Sequence, residues 1–303
     1  MSKIFNVLLT TLFLVSIAGC TLNLESTNES STTFKPDFTN DASASICGDP
    51  TVLPVIDGNS VQFGDASNSC GARVVSNQGY KNITQIRFTA DLSNVSGNFV
   101  TNTFYMVNNP TNPGLQPIGN NYCDAGGNNA SWNCQEVDFF EANKNVFFQH
   151  TMHIGDGSSN APQNFQLSYS TTEDQCFQNL NPATALTFWN GIDIKQPVDF
   201  VVDLDENGMT ITVNQGTVSA VVYKMGTGYS GSTTFNNDQI KRWQEGRAQG
   251  YWLNLSRWQS NSWSPGAPQG FYNWSCPYSN VCGATTPDYF KIYNIEVDAE
   301  GTL

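Results

Sequence analysis

Cys134-Gln135-Glu136-Val137-Asp138-Phe139-Phe140-Glu141-Ala142-Asn143 is the stretch on which the reading of the fold turns. Val137, Phe139 and Phe140 favour extended backbone and alternate with acids, so the segment reads as a β-strand. Side chains two apart share a face of a strand, which puts Glu136 and Asp138 on one side. Glu141, five positions beyond Glu136, should point the other way. One extra residue, a bulge at Phe139-Phe140, returns it to the same side. Three carboxylates then line one strip of a sheet.

Acids so placed repel one another. The two glutamate Cα atoms would lie four effective strand steps apart, roughly 13 Å. Their side chains can lean together to about the 5–5.5 Å carboxyl separation of a retaining glycosidase. Repulsion from Glu136 would then raise the pKa of Glu141 and keep it protonated as a general acid. Asp138, between them, can hydrogen-bond Glu136 and orient it. The plain alternative is an acidic edge strand with no chemistry.

The flanks favour chemistry. The run 136–143, EVDFFEAN, resembles the catalytic strand of the jelly-roll glycosidase clan that contains glycoside hydrolase families 7 and 16. Both families place nucleophile, assisting aspartate and acid/base on E-x-D-x-x-E. Two further matches lean toward family 7, the cellulase type. Ala142-Asn143 continues the motif as E-A-N, and Tyr122-Cys123-Asp124 resembles the Y-C-D that precedes it there. The resemblance implies Glu136 as nucleophile, Asp138 as its assistant and Glu141 as acid/base. It implies an all-β fold, a concanavalin A-like jelly-roll sandwich of two antiparallel sheets. It also implies a retaining endo-β-glucanase acting on cellulose or on mixed-linkage or β-1,3-glucan, with no organic cofactor.

Family 16 is the runner-up, because a bacterial-style export signal is ordinary there and unusual in family 7. The chain is also short for family 7 and lacks many of its cysteines. Loops that would roof a substrate tunnel are therefore expected to be missing, which favours an open cleft that cuts inside glucan chains.

Length and composition fit this frame. The 303 residues, 39% of them hydrophobic, suit one large all-β domain. Lys and Arg number 13 against 26 Asp and Glu, a net charge of −13, which argues against nucleic acid or an anionic membrane as partner. A neutral polysaccharide is compatible with such a surface, and a monomer is expected.

Residues 1–20 read as an export signal: Lys3 supplies the charged start, Ile4 opens the apolar run, and Ala18-Gly19 precede a cleavage point. Ile17-Ala18-Gly19-Cys20 also resembles a bacterial lipobox, which would make Cys20 the lipidated first residue of a surface lipoprotein. An ordinary signal peptide of a secreted protein is the alternative. Residues 21–45 hold 13 Ser, Thr or Asn in 25 positions and are expected to form a tether. The domain is then expected over residues 46–303.

Beyond Cys20 lie seven cysteines: Cys47, Cys70, Cys123, Cys134, Cys176, Cys276 and Cys282. Export makes disulfides the default. Nearest-neighbour pairing would join Cys47 to Cys70, Cys123 to Cys134 and Cys276 to Cys282, leaving Cys176 free. The sequence leaves the connectivity open, and the odd count sits against lipidation. No C-x-x-C pair or histidine cluster suggests zinc, and no metal is expected at the site. Asp203, Asp205 and Glu206 do not fit an EF-hand and read as a solvated hairpin tip, though a structural calcium ion elsewhere stays open.

The domain reads as short strands between polar turns. Residues 84–92, 99–107, 146–154, 165–169, 198–204, 209–213, 218–224 and 289–297 are the expected strands, with Asn207-Gly208 as a hairpin signal. Residues 237–245 are the one expected helix. His150 and His153 are three apart on a strand and so face opposite sides. By its match to a family 7 histidine one residue off, His153 is the one expected in the cleft.

Five of the seven tryptophans fall between 243 and 274. Their faces stack on sugar rings while the indole N–H needs a polar partner. The run 250–258, GYWLNLSRW, weakly resembles a tryptophan-bearing strand of family 7, which makes Trp258 the expected sugar platform and Trp263 the next. Arg257 is expected to reach a sugar hydroxyl, whereas Trp252 and Trp274 are read as core. Two rivals remain: a jelly-roll lectin, which has no need of three mutually repelling acids, and a polysaccharide lyase, whose cleft would carry basic and tyrosine residues.

Overall fold

The computed structural model describes residues 31–41, 54–64, 72–95, 100–122, 134–142, 149–154, 192–193, 196–224, 235, 237–259 and 289–303. Residues 31–303 form one compact unit. Two antiparallel sheets make the sandwich. The first is eight-stranded, built in spatial order from β12 (Val218–Lys224), β11 (Gly208–Gln215), β10 (Val198–Asp205), β6 (Gln85–Asp91), β14 (Phe290–Ala299), β4 (Ser60–Phe63) and β3 (Val55–Asp57), with β1 (Thr32–Phe34) also on β14. The second is seven-stranded: β15 (Gly301–Thr302), β5 (Ala72–Lys81), β13 (Tyr251–Gln259), β7 (Val100–Asn108), β8 (Gln135–Ala142) and β9 (Gln149–Ile154), with β2 (Phe38–Asp41) also on β5. This is the jelly-roll sandwich of two antiparallel sheets expected from the sequence.

Period-two patterning explains the layers. Ile86, Phe88 and Ala90 of β6 are buried, as are Val198, Phe200, Val202 and Leu204 of β10. Aromatic rings lock the two sheets together. Phe88 stacks on Phe200 at 4.7 Å between centroids and meets Phe104 of the other sheet edge-on at 4.7 Å. Phe104 in turn meets Phe139 edge-on at 5.1 Å. Such pairs add about 0.5–1.5 kcal/mol each beyond the area they bury. The Asn207-Gly208 signal closes the β10–β11 hairpin, where Asp205 Oδ1 accepts the backbone N–H groups of Asn207 (2.7 Å) and Gly208 (3.0 Å). That carboxylate serves the turn.

The helix α1 (Asn237–Gln249) carries Asp238 in its first turn and Arg247 in its last, the charge order its dipole favours. It ends at Gly250, whose φ of 107° suits glycine. Trp243 is buried and donates its indole N–H to Asp205 O at 2.8 Å. Gln135, the first residue of β8, donates from Nε2 to Arg242 O at 2.6 Å and accepts from the Tyr251 hydroxyl. The helix thus moors one end of the strand that carries the acids.

The expected tether is corrected at residues 32–41. Thr32–Phe34 pair with β14 and Phe38–Asp41 with β5, so this short segment joins both sheets. Composition missed it because these strands are held by backbone pairing and by two rings. Phe34 lies 5.6 Å from the Tyr80 ring, and Phe38 is buried in the core. The expected strand at 165–169 lies outside the described residues, as do Cys20 and the segment 1–30.

Candidate active site

The strand β8 departs from regular alternation where the sequence requires it. Across to β7, Glu136 pairs with Val107, Asp138 with Tyr105, Phe140 with Phe104 and Glu141 with Thr103. Between Tyr105 and Phe104 there is no intervening residue, whereas between Asp138 and Phe140 there is one, Phe139. On the other side, Asp138 faces Thr151 and Glu141 faces Gln149, so His150 alone stands opposite Phe139 and Phe140. This two-against-one irregularity is a β-bulge. Both phenylalanine rings enter the core, and Val137 and Ala142 are buried there too. The acids occupy the opposite face: Glu136, Asp138 and Glu141 all stand away from the core.

Their exposures differ. Asp138 is buried, 3% exposed, while Glu136 and Glu141 are half-buried. His153 pairs directly with Glu136 across the β8–β9 ladder, and its Nε2 lies 3.3 Å from Asp138 Oδ2. Donor atoms of Glu136, Asp138 and His153 all lie within 4.8 Å of one another, close enough to chelate a small cation as well as to share protons. His150, by contrast, sits in the core beside Tyr223. The two histidines therefore face opposite sides.

A second group, which sequence reading missed apart from Tyr122 and Cys134, adjoins the acids. Tyr105 and Val107 of β7 cluster with Cys134 and Tyr122 on the acid-bearing side of the sheet. The Tyr105 and Tyr122 hydroxyls are 3.3 Å apart. Burial pushes the Tyr105 phenol up to about 12, with Arg73 opposing and Glu136 adding to the rise. The Arg73 guanidinium lies over the Tyr122 ring, 3.5 Å from its centroid, and is ion-paired with Asp41, to which its Nε also donates at 3.2 Å. Burial works against the Arg73 cation, but Tyr105, Tyr122 and Asp41 together overcome it and the pKa is raised. A cation is thereby fixed beside the two tyrosines. The signal available for Tyr105 was parity, since it alternates with Phe104 and Met106, both core residues. No sequence signal marked Asp41, because it lies in the segment whose composition reads as a tether.

Cys134 is disulfide-bonded, and every other cysteine lies outside the described residues. Arg257 is corrected. It is fully buried and donates from Nη1 to Phe63 O, in the other sheet, at 3.3 Å, so it cannot reach a sugar. It shares the parity of Leu253 and Leu255, both core residues, which is why it turns inward. Trp252 is buried with its indole N–H on Pro113 O at 3.1 Å. The backbone of Trp258 pairs with Thr101; its side chain, like Trp263 and Trp274, lies outside the described residues.

Two antiparallel sheets, with the acids on the outer side of one of them, make a jelly roll whose fold resembles that of solved cellulases. Among solved structures, a double mutant of the endocellulase EGI from Humicola insolens matches with a TM-score of 0.53 and 12% identity, over 81% of this chain and 77% of its own. A family 7 cellobiohydrolase from Daphnia pulex matches with a TM-score of 0.48 and 17% identity, over 81% of this chain and 79% of its own. At such identities the likeness concerns the fold. No protein-family model matches the sequence, and no curated protein matches it.

Proposed function

We propose that the chain is a retaining, endo-acting glycoside hydrolase that cleaves β-glucan. The observation that carries this reading is the bulge, which sets Glu136, Asp138 and Glu141 on one face of the sheet although their spacing alone would divide them. Glu136 attacks the anomeric carbon while Glu141 gives its proton to the leaving glycosidic oxygen, and a glycosyl ester forms on Glu136. Glu141, now a carboxylate, takes a proton from water. The water oxygen attacks the same carbon and Glu136 departs, so two inversions leave the configuration as it began. Asp138, whose Oδ2 lies 3.3 Å from His153 Nε2 and whose carboxylate is within 4.8 Å of that of Glu136, steadies the nucleophile. Arg73, held by buried Asp41, opposes through its charge the rise that Glu136 adds to the Tyr105 phenol.

Endo action is part of the same proposal. Trp258 and Trp263 are proposed as the sugar platforms, and Trp258→Ala should weaken oligosaccharide binding by roughly 1–3 kcal/mol on the scale of ring stacking. Export with a lipid on Cys20 is proposed as well; Cys20→Ser should then release the protein from the membrane fraction with its activity unchanged.

The deciding experiment is a reducing-sugar assay of the full chain on cellulose, mixed-linkage glucan, laminarin and xylan. Release of sugars from one or more of the glucans is expected. Glucan binding without cleavage would instead make the protein a lectin, since fold by itself does not decide function.

A further inference from the structure

Resting on the assignment of Glu136 and Glu141 above, we propose that His150 is a positioning residue for catalysis: its imidazole, on the core side of the sheet, clamps the bulge carbonyl of Phe139 and thereby sets Glu141 relative to Glu136. The extra residue in a bulge leaves the ladder locally disrupted, and a carbonyl that loses its strand partner must find another donor when buried. Phe139 is that extra residue, and its side chain is fully buried. His150 is the single residue opposite Phe139 and Phe140, and its Nδ1 lies 2.5 Å from Phe139 O. A carbonyl only accepts, so Nδ1 carries the hydrogen and donates.

The surroundings keep the ring in that form. Burial drives the His150 pKa down to about 4 against the pull of the Phe139 hydrogen bond, so the ring is neutral across ordinary pH. Tyr223, 5.8 Å away between centroids, packs beside it. From the same side, the Phe139 ring is wedged against Phe104 and the Phe140 ring against Phe290. The bulge is thus gripped by two rings and one hydrogen bond, all on the face opposite the chemistry. Loosening the hydrogen bond lets the strand slide toward regular pairing, and the residue that moves is Glu141, immediately beyond the bulge. Glu136 lies before it and keeps its ladder to Val107 and His153.

Three variants of the full chain test this. His150→Asn keeps a donor on the atom that replaces Nδ1, His150→Gln moves the donor one bond further out, and His150→Leu removes it while filling the space. On glucan, His150→Leu should lower kcat about tenfold or more with KM within twofold, His150→Gln should follow it, and His150→Asn should recover most of the loss. The burst of dinitrophenolate from a dinitrophenyl cellooligosaccharide needs no proton from Glu141, so it should fall less than threefold in all three. If His150→Leu does not fold, the contrast between Asn and Gln carries the test. Glucan turnover and burst falling together, in proportion to lost thermal stability, would reduce His150 to packing. An unchanged kcat in both His150→Leu and His150→Gln would overturn the inference and leave the glycosidase reading standing. A wild-type protein that cleaves no glucan would overturn that reading and this inference together.

Discussion

Both outer faces of this sandwich carry acids, and the two are arranged in opposite ways. On the eight-stranded sheet the carboxylates are spread out and matched. Arg87 Nη1 lies 2.6 Å from Asp298 Oδ2 and its Nη2 3.2 Å from Glu296 Oε2. Thr33 donates to Asp298 at 2.6 Å, Gln85 to Asp203 at 2.7 Å and Thr89 to Asp199 at 2.6 Å. On the seven-stranded sheet, three acids share one strand, and the His153 imidazole lies 3.3 Å from one of them, Asp138. Strand alternation turns acids outward on both faces, so acidity does not mark the site. What marks it is a register defect that gathers three carboxylates on one side of a single strand.

The largest effect that separates the faces is chemical. Glu136→Gln should abolish cleavage of every substrate, a loss on the order of 10^4-fold or more, the scale seen when a hydrolase loses its nucleophile. Glu141→Ala should still release dinitrophenolate in a burst, because that leaving group needs no proton, and azide should then restore turnover. The rescued product should be a β-glycosyl azide. An α-azide would require single inversion and a different carboxylate pair. Acid-to-amide changes on the other face, such as Asp199→Asn, should leave turnover unaltered. If they do not, the contrast between the faces is false.

The next effect compares ion pairs. Arg73 and Asp41 are both buried, and Asp41 is also within 3.3 Å of the Gly119 N–H. Arg73→Met removes the cation and leaves the carboxylate buried, which should cost about 3–5 kcal/mol in denaturant unfolding. A cost below 1 kcal/mol would show that water reaches Asp41, and that the acid-bearing face is as wet as the other.

These contrasts also show what the sequence discloses. Alternation gave the positions of β6, β10 and β11, and parity with the demand for a third acid gave the bulge. Alternation failed where pairing is mostly backbone: Thr32–Phe34 and Phe38–Asp41 look like linker because such short strands carry only two rings, Phe34 and Phe38, among polar residues. Arg257 was assigned by its chemical type, although its parity with Leu253 and Leu255 pointed inward. The grouping of Arg73, Asp41, Tyr105 and Tyr122 joins four separate strands and loops, so no local pattern contains it.

A third test uses acid. The folded pKa of His150 is depressed to about 4 from an ordinary 6.5, so the unfolded chain binds more protons between those values. Stability should therefore rise with pH across that window and fall as pH drops from 6.5 toward 4. The contribution is about 3 kcal/mol at most. In His150→Asn that slope should flatten. A slope that persists unchanged in the variant would assign the acid sensitivity to other groups.

The smallest effect belongs to the outer face of the eight-stranded sheet. Arg87 is about as exposed as its partner Glu296, with side chains at 32% and 34% of full accessibility. Exposed pairs of this kind are worth roughly 0.2–1 kcal/mol, because water competes for both charges and the side chains lose freedom to hold them. Arg87→Ala should therefore shift stability by less than about 1 kcal/mol, and added salt should shrink even that. The pair also predicts a pH signature. Hydrogen bonding from Arg87 lowers the Asp298 pKa, burial opposes it, and Thr33 adds to the lowering. A depressed carboxylate stabilises the fold above its unfolded pKa of 3.8, and that stabilisation is lost as pH falls below it. The loss should appear in wild type below pH 3.8 and be smaller in Arg87→Ala, where only Thr33 still lowers the Asp298 pKa. If Arg87→Ala instead cost as much as Arg73→Met, insensitive to salt, the two faces would hold their charges alike, and the claim that only one is built to concentrate them would fail.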